Sequence, residues 1–108
     1  MPATQSKHDV FQAIADPTRR SLLRLLADKE MSIASITECF PITRTAVNKH
    51  LQVLSDAGLV KRHKIGRETR YKMRPEPLVE VTEWISYFEK YWDEKLDALM
   101  QYVESDDE

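Results

Sequence analysis

Residues Ile42 to Arg62, ITRTAVNKHLQVLSDAGLVKR, leave the chain little choice of local structure. Pro41 cannot extend a helix that precedes it, and the Thr43 hydroxyl is a natural acceptor for the free amides of a new first turn. A helix therefore starts here. Val47, Leu51 and Leu54 recur at spacings of four and three, which builds one apolar stripe, while Arg44, Thr45, Asn48, Lys49 and Gln52 fall on the opposite face. Asp56-Ala57-Gly58 ends the helix, because glycine adopts the left-handed conformation that closes a helix end. The outward residues are long donors, an amide and a small hydroxyl, the types that hydrogen-bond base edges and phosphates in a DNA major groove.

A net charge of −2 for 108 residues looks unsuited to that role until it is divided along the chain. Residues 1–40 carry five basic and five acidic side chains, 41–74 carry nine basic and two acidic, and 75–108 carry two basic and eleven acidic. A basic middle of +7 is thus followed by an acidic segment of −9. Phosphate binding needs a local basic patch rather than a basic whole. With 42% hydrophobic residues and two glycines, the chain suits one small, mostly helical domain. No apolar run reaches the roughly 20 residues that span a bilayer, and MPATQSKHDV lacks an export pattern, so the expected location is cytoplasmic without a membrane partner. One cysteine, Cys39, excludes an internal disulfide.

Residues 1–7 lack periodicity and read as a flexible N-terminus, with the folded domain spanning 8–104 and Ser105-Asp106-Asp107-Glu108 as an acidic tail. A short helix with Val10, Phe11 and Ile14 on one side is expected to end near Ala15. Asp16-Pro17 restarts the chain as cap and first helical residue, giving a helix to Ala27 with Leu22, Leu23, Leu25 and Leu26 inward. Ser32 caps a third helix holding Ile33, Ile36 and Phe40, and the short link to Thr43 is that of a helix-turn-helix. After Gly58 the period becomes alternating. Leu59–Lys64 and Thr69–Arg74 read as a two-stranded hairpin around Ile65-Gly66-Arg67-Glu68, with a basic outer face that includes Lys64, Arg67 and Arg70. From Leu78 to about Glu104 neither proline nor glycine occurs, which predicts one long helix of about 40 Å. Its apolar side chains, among them Ile85, Phe88, Trp92, Leu96 and Leu99, keep three-and-four spacing, and so much exposed aromatic surface calls for a partner helix. A homodimer is the expected state, with Val10, Phe11 and Ile14 of the first helix joining that interface.

Helix, helix, helix-turn-helix, basic hairpin and terminal helix is the order of a winged helix-turn-helix: a mainly α fold with a small β-hairpin and a C-terminal dimerisation helix. AIADPTRRSLLRLL at 13–26, TAVNKHLQVLSDAGLV at 45–60 and GRETRYKM at 66–73 resemble the arsenic-repressor (ArsR) family in particular. The resemblance implies a dimeric repressor on a double-stranded DNA operator. It also implies dimerisation through the first and last helices, and two recognition helices in successive major grooves of a palindrome. Family members often bind metal, either through a Cys-x-Cys pair before the recognition helix or through Asp and His pairs on the terminal helix. The matching stretch Thr37-Glu38-Cys39-Phe40 has one cysteine, and residues 75–108 have neither histidine nor cysteine. No metal and no cofactor are therefore expected, and any inducer is unidentified.

The candidate DNA contacts are Thr43, Arg44, Thr45, Asn48, Lys49 and His50 on the helix, and Lys64, Arg67 and Arg70 on the hairpin. A solvated helix face is the competing account of the first group, and a packed histidine that of His50. Cys39 reads as a small structural residue, since a thiol switch would need a second cysteine. The set Trp84, Tyr87, Phe88, Tyr91 and Trp92 suits dimer packing, with a small-molecule pocket as the alternative. No phosphate loop, nucleophile elbow or metal cluster suggests an enzyme. Two further readings stay open: a protein-interaction module with weak DNA binding through its acidic helix, and a repressor released by metal or a small molecule.

Overall fold

The computed structural model describes residues 8–106. Six helices and three short strands follow one another: α1 (Val10–Ile14), α2 (Pro17–Asp28), β1 (Met31–Ser32), α3 (Ile33–Glu38), α4 (Arg44–Asp56), β2 (Val60–Ile65), β3 (Glu68–Met73), α5 (Val79–Tyr87) and α6 (Glu89–Asp106). A 3-10 turn over Glu76–Leu78 leads into α5. Short polar side chains start the first four helices. Asp9, Asp16, Ser32 and Thr43 each accept the backbone N–H three residues on, and at Asp9 the Gln12 side chain returns the bond to complete a capping box.

The end of α4 is closed by two backbone bonds, Gly58 N–H to Ser55 C=O at 3.0 Å and Leu59 N–H to Leu54 C=O at 2.9 Å. This pattern requires a left-handed residue, which Gly58 supplies with φ +79°. It also turns Leu59 back into the core, where that side chain is fully buried. Leu22 and Leu26 of α2, Ile36 of α3, and Val47, Leu51 and Leu54 of α4 meet it there. The helical stripe of α4 is thus the centre of the packing.

The sheet differs from the hairpin expected. Met31 and Ser32 pair antiparallel with Tyr71 and Arg70, so the strand order is β1-β3-β2 and there are three strands. A strand of two residues has no alternation to detect, and its pairing comes from residues about forty positions away. The hairpin itself closes over Gly66-Arg67, with Gly66 at φ +62° and Ile65 opposite Glu68.

The C-terminal region also departs from expectation. Instead of one helix, α5 stops at Phe88, whose φ of −100° and ψ of 7° leave the helical region. Phe88 N–H bonds to Ile85 C=O at 3.0 Å, a tightened last turn, and α6 then starts anew with Tyr91 and Trp92 N–H on Phe88 C=O. The Phe88 ring makes edge-on contacts with Trp84 and Tyr87 at 5.1 and 5.0 Å and a tilted one with Tyr91 at 6.3 Å. These contacts gather aromatic side chains from both helices around the elbow. Helix α6 continues to Asp106, so Ser105 and Asp106 are helical rather than part of a tail. The flexible segment expected at 1–7 and the rest of the acidic tail, 107–108, lie outside the described residues.

With α6 standing off the body, the molecule measures 67 × 39 × 21 Å and its radius of gyration is 19.0 Å. A compact chain of this length would have about 13 Å. No helix among the described residues is long and apolar enough to cross a membrane.

Candidate nucleic-acid interface

Helix α4 presents Arg44, Thr45, Asn48, Lys49 and Gln52 to solvent, all exposed, as the period of its apolar stripe dictates. Thr43 is exposed too, and its hydroxyl accepts the Ala46 N–H at 3.1 Å. That bond leaves the other first-turn amides directed outward, at the positive end of the helix dipole, where an anion is favoured.

The register of the hairpin decides which wing residues join them. Arg62 lies opposite Tyr71 and Lys64 opposite Thr69, on one face of the sheet; Lys61 opposite Lys72 and His63 opposite Arg70 occupy the other. The first face looks onto α4. Between them runs a polar cleft of about 300 Å³ lined by Arg44, Asn48 and Gln52 at four-residue spacing, by Arg62, Thr69 and Tyr71 of the sheet, and by Ile33. Two guanidinium groups, two side-chain amides and two hydroxyls line it, of the types that donate hydrogen bonds to base edges or phosphates, and one of the amides, that of Gln52, also donates to Asp56 at 2.9 Å.

Of the nine basic side chains in 41–74, Arg70 and Arg74 are held by carboxylates. Arg44, Lys49, Lys61, Arg62, Lys64, Arg67 and Lys72 make no ion pair among the described residues. Glu68 and Glu30, the partners of Arg70, both sit on the outer face of the sheet, away from the cleft, while Glu76 pairs with Arg74 and Asp56, at the end of α4, accepts from Gln52. Potential is therefore positive on the side that α4 shares with the wing.

Sequence reasoning included two residues that the structure places differently. His50 is half-buried, with Nδ1 3.3 Å from Arg19 Nη1, and points toward α2 rather than away from the body. Arg19 also donates to the carbonyls of Ala13 at 2.7 Å and Gln12 at 3.0 Å, so it ties the end of α1 to the back of α4. Nearby Asp16 has its pKa lowered: burial, the largest influence, opposes this, but the Arg19 N–H and the charges of His50 and Arg19 outweigh it. Arg70 donates to Glu68 at 2.7 Å and Glu30 at 3.1 Å, and the Glu68 hydrogen bond leads the influences that raise its pKa. Its guanidinium faces away from the cleft.

One residue was missed. Arg62 lines the cleft beside Gln52, which the helix period had already placed on the outward face, and the signal for Arg62 was available: counting back from the two-residue Gly66-Arg67 turn puts it opposite Tyr71. The expected interface residues on the other side also divide. Val10 is 4% exposed and belongs to the core of its own chain, whereas Phe11 and Ile14 are half-buried, and Ile85, Trp92, Leu96 and Leu99 are exposed by half or more. Phe11 packs edge-on against Trp84 at 5.7 Å, joining α1 to α5. Cys39 is exposed, and its thiol lies 3.5 Å from the Ser35 carbonyl. Among the described residues no three His, Cys, Asp or Glu side chains come together as a metal site would need.

Comparison with known proteins bears on the fold that carries these residues. A family described as a helix-turn-helix domain matches residues 14–63, from the end of α1 into β2. The transcriptional repressor SdpR of Bacillus subtilis (strain 168) is 33% identical over 81 residues, 75% of this chain and 90% of that protein. The chain belongs to the ArsR family of DNA-binding, helix-turn-helix transcriptional regulators. The uncharacterised HTH-type transcriptional regulator YuzN of Bacillus subtilis (strain 168) is 38% identical over 74% of this chain and 96% of its own length. An ArsR-like transcriptional regulator from Rhodococcus sp. RHA1 shares the fold with a TM-score of 0.71 at 35% identity, over 89% of this chain and 88% of that one. The matched region of this ArsR-family chain holds α4 and the start of the wing, and with them the cleft residues other than Thr69 and Tyr71.

Proposed function

We propose that the protein is a homodimeric repressor that occupies an inverted-repeat operator, each copy laying α4 in a major groove and its wing on the flanking backbone. The observation that carries this reading is the cleft, in which Arg44, Asn48 and Gln52 of α4 stand beside Arg62 on one exposed, cationic side. Asn48 suits bidentate contact with an adenine edge and Arg44 with a guanine edge. Thr43, Lys49, Lys64 and Arg67 suit phosphate contact, which sets position and affinity rather than sequence. Arg70 and His50, engaged within the protein, have no contact role in this scheme.

Dimerisation follows from what α5 and α6 leave uncovered. Trp92, Leu96, Leu99 and Val103 form a stripe at spacings of four, three and four, each more than half exposed. At the elbow an apolar cleft of about 510 Å³ is lined by Trp84, Ile85, Phe88, Tyr91, Trp92 and Lys95. A second copy laid against this stripe and cleft removes both from water. Repression itself is supported by the relative SdpR, whose name makes it a repressor. The whole chain titrated into a labelled duplex containing its selected site should bind as two copies and sediment as a dimer without DNA. Monomeric sedimentation combined with salt-insensitive binding would overturn the proposal.

A further inference from the structure

The outer face of the wing carries a cluster that DNA contact leaves unexplained. Glu30 stands immediately before β1, and its carboxylate is shared: Oε1 lies 3.2 Å from His63 Nε2 on β2, and Oε2 accepts from Arg70 Nε on β3 at 3.1 Å. Arg70 Nη2 also reaches the Glu30 carbonyl at 3.4 Å, and Nη1 donates to Glu68 at 2.7 Å. His63 and Arg70 are direct cross-strand neighbours, so a single acid spans the full width of the three-stranded sheet. About seven-tenths of the Glu30 and Arg70 side-chain surfaces is covered.

We propose that Glu30 is a positioning residue for the wing, holding the hairpin at a fixed angle to α4 and keeping Arg70 from competing for phosphate. The inference rests on the DNA-binding reading above. The backbone tie between hairpin and body at this edge is only the two-residue pairing of Met31 and Ser32 with Tyr71 and Arg70. So short a ladder is a weak brake on rotation of the hairpin. The Glu30 carboxylate lengthens that tie across both remaining strands. Ser32, on the same short strand, caps α3 through the Ser35 N–H, and α3 leads directly to α4. Wing and recognition helix are thereby referred to one segment, Glu30-Met31-Ser32. The second half of the proposal is electrostatic: without the Glu30 charge Arg70 keeps only Glu68, and the face turned away from the cleft, which also carries Lys61 and Lys72, gains one net positive charge that would attract DNA in a misaligned pose.

Three variants of the full chain test this, with Kd for a selected site and for an unrelated duplex measured by fluorescence anisotropy across a salt series. Glu30→Gln is expected to lower the ratio of specific to non-specific affinity on the order of tenfold and to steepen the non-specific salt slope by about 1. Glu30→Asp keeps the charge but is too short for both partners, so specific affinity should fall while the non-specific slope stays put. Adding Glu30→Gln to Arg70→Gln should change the ratio little further, since the two act as a unit. The proposal is overturned if Glu30→Gln leaves both ratio and slope at the parent values, or if its effect adds in full to that of Arg70→Gln. Should the parent protein itself show no salt-dependent binding, the DNA-binding reading fails instead, which is a separate result. Thermal unfolding of each variant gives a second check: a melting temperature that falls while ratio and slope stay unchanged assigns Glu30 to stability alone and overturns the proposal as well.

Discussion

Between Val10 and Met73 the large aliphatic side chains turn inward apart from Ile65 at the hairpin turn, and Val47, Leu51, Leu54 and Leu59 have no exposed surface at all. Between Val79 and Val103 most large apolar side chains face outward, Val81 being packed against the core, with Leu96 at 52%, Leu99 at 58% and Trp92 at 60% exposed. Charge divides with them, the middle of the chain being basic and the C-terminal third acidic. A helix can show a regular apolar stripe in either place, because periodicity records which face avoids water and not what covers it. In α4 the cover is the rest of the same chain, which leaves the opposite face exposed, the face proposed to meet DNA. For α6 the proposed cover is a second copy, and the acidic charges on its remaining faces keep it from competing for phosphate.

The sharpest break in this comparison is a truncation made in both regions. Leu51→Ala removes a fully buried side chain and should cost about 2 to 5 kcal/mol, a large part of a small domain's stability, read as a lower urea midpoint. Leu99→Ala should leave the helix signal and midpoint of the body nearly unchanged at low protein concentration. Next, Leu96→Glu combined with Leu99→Glu should yield a folded monomer by sedimentation whose operator affinity falls on the order of 100-fold, because two linked half-sites become one. Asn48→Ala should cost about 1 to 3 kcal/mol at one base position and relax the preference there, seen as a changed profile in a site-variant binding series. Arg67→Ala should weaken binding to all sequences and reduce the salt slope by about 1. The smallest effect concerns Asp16, whose carboxyl lies below the usual range in the folded chain. A depressed folded pKa stabilises above the unfolded value of about 3.9 and ceases to as pH falls through the lower folded one. Asn retains the cap of α2, so Asp16→Asn should shift the urea midpoint slightly and equally from pH 7 to about 5, with the difference vanishing in stronger acid.

The parts that were legible in the sequence are those set by neighbours along the chain. Asp16, Ser32 and Thr43 cap the helices they precede, Gly58 closes α4, and the alternation of Thr69, Tyr71 and Met73 gives β3. What escaped is set by distant residues. The strand β1 exists because Tyr71 and Arg70 are beside it, and Arg70 is ion-paired with a glutamate forty positions away. The elbow at Phe88 escaped for another reason. Neither glycine nor proline marks it, and it coincides with contacts among Trp84, Tyr87, Phe88 and Tyr91 that a helical period does not reveal. Within the cleft, Arg44 and Asn48 were visible from the helix alone, while Arg62 needed the hairpin register as well.

The division between a DNA-reading body and a pairing C-terminal region is tested most directly by sequence selection from a random duplex pool at moderate salt. The full chain and its Leu96→Glu, Leu99→Glu variant should be selected in parallel. The full chain should enrich an inverted repeat with half-sites centred about one helical turn apart, roughly 34 to 36 Å, and the variant at most a single weak half-site. Enrichment of the same inverted repeat by both proteins, or of no sequence by the full chain, would contradict it.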